Sequence, residues 1–341
     1  MPIKPPSLPA LPVPAATEPA SAQPLEPGAE RKRMLVVVNP HATTVSAKLK
    51  NLVVYALQAR YEVEAIETEA SRHAIEIGRR ARDEGFDVVV AFGGDGTLNE
   101  VANGLAGSGV AVSVLPGGAT NVVCRTLGIP LDVVDATERL IALADDFHPR
   151  PIDLGSVNGR RFVFASGVGL DASVVRAVDS RPSLKAKAGP WFYSYAALTN
   201  VYGGYVRHPQ HLVVEAEGEQ WRGVTAIAQN SDPYSYFGSR PVRVCEGVEI
   251  DDGALGVAVL ERVAQRDIAT LVPRLLSAKP VAHKARSVAE LKGVKHATFR
   301  ALANEDDGEA RPLPVHVDGD YIGDYEEVVW EVEPGALMLV A

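Results

Sequence analysis

Cysteine is almost missing from this chain. Cys124 and Cys245 are the only two, both in apolar surroundings, so a disulfide-rich scaffold is excluded and two reduced thiols in a cytosolic protein are expected. There is no uninterrupted apolar run of about eighteen residues, the length a membrane-spanning helix needs, so any membrane association is expected to be peripheral. Positive charge is in deficit. With 34 Lys and Arg against 43 Asp and Glu, the net charge of −9 argues against a general nucleic-acid partner, although it leaves room for a local basic patch. Neither G-x-x-x-x-G-K-[ST] nor G-x-G-x-x-G occurs, which removes the P-loop and the dinucleotide fingerprint. No internal repeat is present.

The 341 residues are enough for two hydrophobic cores. Residues 1–33 carry 9 of the 24 prolines and end in Glu30-Arg31-Lys32-Arg33, which reads as a disordered, partly polyproline-like tail. Proline recurs there too often for the apolar segment of a signal peptide. From Met34 the pattern alternates. Apolar strands are expected at Met34–Val38, Tyr61–Glu67, Val88–Phe92 and Val110–Leu115. Helices are expected at Val45–Arg60, Ser71–Glu84, Thr97–Leu105, Thr120–Leu127 and Asp135–Ala144. Repeated β-α-β units of this length imply a parallel sheet covered on both faces, with ligands bound beyond the carboxyl ends of its strands. After about residue 150 short β-rich runs take over, separated by Asn158-Gly159, Asp252-Gly253 and Asp318-Gly319. The fold class expected is an α/β N-terminal domain with a parallel sheet plus an antiparallel β-sandwich second domain. The expected divisions are 34–148, 149–325, and 326–341 returning to the first domain. Helical insertions are expected at Ala172–Val178, Leu184–Tyr202 and Val263–Ser277.

One stretch concentrates the chemistry. The strand Val88–Phe92 runs into Gly93-Gly94-Asp95-Gly96, and Thr97-Leu98-Asn99-Glu100 opens a helix. Glycines allow close backbone approach, and the N–H groups and positive end of the helix suit a phosphate. Thr97 and Glu100 fit a capping box that would start the helix at Thr97. Asp95 makes sense beside an anion when a divalent cation stands between them. On spacing alone, a capped βα turn with no ligand fits as well.

This stretch resembles the signature of the diacylglycerol kinase catalytic-domain family. That family includes bacterial soluble diacylglycerol kinases and sphingosine and ceramide kinases, and is more distantly similar to NAD kinases and phosphofructokinases. Three further segments follow the family's order. They are Asn39-Pro40, Thr68 through His73-Ala74, and Leu115-Pro116-Gly117-Gly118-Ala119-Thr120-Asn121 with Arg125. The resemblance implies that Asn39, Thr68, Gly93, Gly94, Asp95, Gly96, Thr97, Leu98 and Asn99, with Gly118, Ala119, Thr120 and Asn121, hold ATP. It also implies that Asp95 acts through Mg²⁺. It implies a second Mg²⁺ in the loop Val248–Leu255, with the Asp252 carboxylate and the carbonyls of Glu249 and Ala254 as ligands. Without the resemblance, Asp252-Gly253 reads as a hairpin turn.

Asp320 stands where the family has the glutamate that acts as base for the lipid hydroxyl, and Asp318 is the second choice. The second glycine loop departs from the family's Gly-Thr-x-Asn-Asp: Ala119 replaces the threonine, Thr120 follows it, and Val122 replaces the aspartate. For the acceptor lipid, the lysine- and aromatic-bearing stretch Leu184–Tyr205 fits either a membrane interface or a packed insertion helix. Ser231–Arg243, with Tyr234, Tyr236 and Phe237, is another wall. The function expected is therefore an ATP- and Mg²⁺-dependent lipid kinase, cytoplasmic and peripheral to the membrane, with diacylglycerol as the first acceptor. The rivals are an NAD-kinase-like soluble phosphotransferase and a nucleotide or lipid sensor that has lost turnover. A homodimer is compatible with the sequence, but no motif specifies one.

Overall fold

The computed structural model describes residues 31–180, 210–262, 287–303 and 308–341. The tail to residue 30 and the expected segments Leu184–Tyr205 and Val263–Ser277 lie outside the described residues. The first half runs β1 (Arg33–Val38), α1 (Ala47–Leu57), β2 (Glu62–Glu67), α2 (His73–Asp83), β3 (Val88–Gly93), α3 (Asp95–Leu105), β4 (Ala111–Pro116), α4 (Val122–Thr126) and α5 (Val133–Ala142). The strands pair in parallel in the order β2-β1-β3-β4. Both β3 and β4 are buried at every residue, as continuous apolar runs between two helical layers should be. At the edge, β2 keeps its three glutamates half-buried or exposed, which blunts the open side.

The second half continues with β5 (Arg150–Val157), β6 (Arg160–Phe162), β7 (Ala165–Gly169), α6 (Leu170–Asp179), β8 (Leu212–Ala216), β9 (Glu219–Gly223), β10 (Thr225–Gln229), β11 (Ser235–Phe237) and β12 (Arg240–Val242). The last strands are β13 (Leu255–Leu260), β14 (Val288–Val294), β15 (His296–Ala301), β16 (Leu313–Val317), β17 (Asp320–Tyr325) and β18 (Glu327–Leu339). One antiparallel sheet has the order β14-β13-β10-β7-β16-β17. The facing sheet contains β18-β15-β8-β9 with β5 and β6, and a core around Trp330 and Phe299 fills the gap. These two rings meet edge to face with centroids 4.2 Å apart. The chain thus adopts the expected α/β half followed by an antiparallel sandwich. The long strand β18 joins the two halves, pairing with β15 near its start and in parallel with β4 at Met338↔Ala111.

Several expectations need correction. The Thr97/Glu100 capping box does not form. Helix α3 starts at Asp95 with Gly94 as its N-cap, and Glu100 instead accepts from the Arg72 and Ala74 N–H groups (2.8 and 3.2 Å) at the start of α2. Arg72, the N-cap of α2, has a donor-only side chain that cannot accept from the helix N–H groups, so the neighbouring helix supplies the cap. Asp252-Gly253 is not a hairpin turn but sits in the loop before β13. Asn158-Gly159 and Asp318-Gly319 do close two-residue hairpins, with positive φ at both residues of each. The strands β9 and β17 carry too few apolar residues to stand out in the sequence, and Glu290-Leu291-Lys292-Gly293 breaks up the apolar pattern of β14. Both cysteines are free and buried.

Candidate active site

Two βα turns meet backbone to backbone at the carboxyl end of the parallel sheet. The Gly117 N–H donates to the Gly93 carbonyl at 2.8 Å. A Cβ on Gly117 would stand 2.8 Å from Gly93 Cα, and one on Gly118 would stand 2.7 Å from Gly94 Cα. No side chain fits between the turns, so glycine is required there before any ligand is considered. Asp95 locks the pair together: its carboxylate accepts from the N–H groups of Val122 (3.0 Å) and Val123 (3.3 Å), capping α4. Burial pushes the Asp95 pKa up, while those N–H donors and the Arg125 charge pull it back.

The remaining nucleotide candidates divide into framework and surface. The Thr97 hydroxyl accepts from Asn39 Nδ2 at 3.2 Å and packs against Gly93, while Leu98 lies in the core. Asn39 also closes its own turn, its Oδ1 accepting from the His41 N–H at 3.0 Å. Asn99 is 1% exposed and its amide is committed on both sides. Nδ2 donates to Asp318 Oδ2 (2.7 Å) and the Arg161 carbonyl (2.9 Å), and Oδ1 accepts from the Arg160 guanidinium (2.8 Å) and Asn103 Nδ2 (3.2 Å). Asn121 folds its loop upon itself through Gly118 N–H and carbonyl, in αL conformation. Gly94, Gly96, Gly118, Ala119 and Thr120 keep exposed surface, and half-buried Thr68 follows β2. Framework residues such as Leu98, Asn99 and Asn121 therefore shape the turns with side chains already engaged.

The second half brings one carboxylate onto this floor. An ideal Cβ on Gly96 would stand 2.9 Å from Asp320 Oδ2, so the exposed Asp320 lies against the first turn of α3. Asp318, two residues earlier, is buried and its oxygens are filled. Oδ2 accepts from Asn99 and the Val163 N–H (2.7 Å each), and Oδ1 from the Phe164 and Ala165 N–H groups (3.0 Å each). Desolvation raises its pKa to about 6 against the pull of those donors. Geometry therefore favours Asp320 over Asp318 for meeting a substrate hydroxyl.

The loop expected to hold a second Mg²⁺ folds around the Asp252 carboxylate. Asp252 spends its carboxylate inside the loop, accepting from the N–H groups of Glu249 (3.2 Å) and Ala254 (3.0 Å). The Gly253 N–H donates to Asp153, and among the described residues no group of three or more His, Cys, Asp and Glu is placed to hold a metal. Asp95 and Asp320 are two carboxylates at a helix end that suits an anion, an arrangement that a divalent cation between them and a phosphate would reconcile.

Sequence reasoning passed over Arg160, Asp171 and His316, which the fold gathers beside residues that it did single out. Arg160 reaches Asn99, and the charges of Glu100, Arg72, Asp318 and Asp320 surround it. Burial lowers its pKa against the pull of the acidic neighbours. Asp171, at the start of α6, meets His316 Nε2 at 2.6 Å and accepts from the Tyr234 hydroxyl at 2.9 Å. Arg125 stacks over the Tyr236 ring at 5.1 Å, bringing the β11–β12 hairpin against the second glycine loop. Nothing in the sequence marks these groupings, since sheet order alone brings them together. Among the described residues no helix is long and apolar enough to cross a membrane.

Comparison with known proteins agrees with this geometry. Residues 33–157 match the model of the diacylglycerol kinase catalytic domain, and residues 165–341 match the YegS C-terminal NAD kinase beta sandwich-like domain. A diacylglycerol kinase of Staphylococcus aureus (strain MRSA252) is 27% identical over 287 residues, covering 82% of this chain and 86% of that protein. A solved diacylglycerol kinase of Bacillus anthracis str. Sterne superposes with a TM-score of 0.65 at 18% identity, covering 91% of this chain and 96% of that one. A second solved chain from the same organism gives 0.67 at 22% identity, covering 91% and 97%. At those identities the structural likeness speaks for the fold.

Proposed function

The chain belongs to the diacylglycerol kinase catalytic-domain family, and from that premise we propose that it transfers the γ-phosphoryl group of ATP to a lipid hydroxyl, with diacylglycerol as the first acceptor to test. The observation that carries this reading is the Asp320 carboxylate lying against Gly96, at the glycine-built start of α3. The glycine floor admits a polyphosphate close to the backbone, and the helix end favours its charge. Asp95 and Asp320 would hold the Mg²⁺ that accompanies ATP, and that ion would neutralise phosphate charge. Asp320 accepts the proton of the acceptor hydroxyl as its oxygen attacks phosphorus. Its carboxylate is one bond, roughly 1.5 Å, shorter in reach than the family's glutamate. The acceptor would enter over the β11–β12 hairpin, where Tyr236 meets Arg125.

The test is transfer of labelled phosphate from ATP to mixed micelles of diacylglycerol, a ceramide or a sphingoid base, alongside NAD in solution. Label in diacylglycerol supports the full reading. Label in another lipid keeps the kinase and changes the acceptor. Label in NAD alone replaces the assignment with a soluble phosphotransferase. ATP binding without turnover on any acceptor, unaltered by Asp320→Glu, identifies a sensor. In an active enzyme Asp320→Asn is expected to reduce kcat by about 100-fold or more while ATP still binds.

A further inference from the structure

Arg160 opens β6 directly after the Asn158-Gly159 turn, and its guanidinium donates to Asn99 Oδ1 at 2.8 Å. Asn99 lies one helical turn beyond Gly96 on the same side of α3, the side over which Asp320 stands. Guanidinium and base candidate are therefore neighbours above the start of that helix. The network below fixes Asn99: its NH₂ donates to the buried Asp318 carboxylate and to the Arg161 carbonyl, so its oxygen must face Arg160. A chain of contacts from Asp318 through Asn99 holds the guanidinium in place.

Arg160 is nonetheless not part of an ion pair among the described residues. Of the nearby acids, Asp318 is engaged with Asn99 and three backbone N–H groups, Glu100 with the start of α2, and Asp320 lies against Gly96. A guanidinium has five N–H donors in a planar fork, and Asn99 takes one of them. Arg160 is half-buried, and Arg72 adds a second positive charge nearby. A desolvated, pre-positioned cation with donors to spare, beside another cation and a base, is arranged to take an oxyanion.

We propose that Arg160 grips the phosphoryl group in transit, donating to its non-bridging oxygens between the α3 terminus and Asp320, with Asn99 as its positioning residue. This rests on the kinase reading above. In the transfer step the acceptor oxygen bonds to the γ-phosphorus as the bond from phosphorus to the ADP oxygen breaks. ADP leaves with that electron pair, Asp320 takes the acceptor proton, and Arg160 keeps its own protons throughout.

The test uses the full chain as wild type, Arg160→Met and Arg160→Lys. ATP and ADP binding are measured by calorimetry, and single-turnover transfer with diacylglycerol micelles. The expected result for Arg160→Met is ADP affinity within about twofold of wild type, a loss of about tenfold in ATP-over-ADP preference, and a fall in kcat of about 100-fold or more. Arg160→Lys should recover part of the ATP preference. Added methylguanidinium should restore part of the turnover of Arg160→Met and leave wild type unchanged, which repair of a merely structural contact would not do. Turnover of Arg160→Met within about threefold of wild type, or equal losses of ATP and ADP affinity, overturns the role of Arg160 and leaves the kinase reading standing. A wild type that binds no nucleotide and labels no lipid overturns the kinase reading, and this inference with it.

Discussion

Gly96 and Gly118 are both glycines in phosphate-type turns, and they are glycines for different reasons. A Cβ on Gly118 would meet the backbone of Gly94 at 2.7 Å, which cannot move without separating the two turns. One on Gly96 would meet only the end of the Asp320 side chain, at 2.9 Å, and Gly96 lies inside α3, where alanine is favoured. Gly118→Ala is therefore expected to lower stability by about 1–3 kcal/mol and to abolish activity together. Gly96→Ala should leave the melting temperature unchanged or raised while cutting turnover by roughly 10- to 100-fold, because it displaces the base. Thermal melts beside a micelle assay separate the two outcomes. Asp318 makes a further prediction. Its folded pKa, about 6, lies above the ordinary carboxylate value, so the folded chain holds that proton more tightly than the unfolded one. Its stabilising contribution is complete below the unfolded pKa, falls as pH rises from about 4 to 6, and is flat above. Denaturant unfolding at several pH values should show the advantage of wild type over Asp318→Asn shrinking across that window, by on the order of 3 kcal/mol. The sequence marks the residue types at this site and not their state. Asp318 and Asp320 read as near-equals along the chain, and only the fold buries one under four donors and leaves the other at the surface.

At the scale of elements, periodicity locates every helix of the first half to within a few residues, because each buries one apolar face. Its failure is at the start of α3, where Thr97 and Glu100 have the right spacing for a capping box and different partners in space. Glu100 instead caps α2, and the two helices cross so closely that a Cβ on Gly104 would fall 2.5 Å from the Ile75 carbonyl. The cap and the close crossing support each other, since a carboxylate on α3 reaches the α2 terminus only when the helices touch. Glu100→Ala should destabilise the fold by about 1–2 kcal/mol, a capping loss. Amide exchange in the first turn of α2 should accelerate ahead of that in α3. Equal acceleration in both helices would instead mean that the cap holds the crossing as a whole.

Across the whole molecule, β18 makes the two halves interdependent. Val328 and Trp330 near its start belong to the sandwich core, and Leu337 and Leu339 near its end belong to the α/β core. The return of 326–341 to the first half is expected only because chain ends often pack back, since pairing with a strand more than two hundred positions earlier leaves no local trace in the residues themselves. The consequence bears on the proposed site. Asp320 and Arg160 come from the second half and the glycine floor from the first, so the register of β18 helps set how far the base stands from the phosphate turn. Leu339→Ala opens a cavity beside β4, far from Trp330, and should cost about 2–5 kcal/mol. If the halves form one cooperative unit, the fluorescence of Trp330, isolated by replacing Trp191 and Trp221 with phenylalanine in both chains compared, will shift by the same amount as far-UV circular dichroism. A fluorescence transition left at its wild-type midpoint while the dichroism moves would show that the sandwich folds alone. The alignment of Asp320 over Gly96 would then depend on docking of two independent bodies rather than on the strand they share.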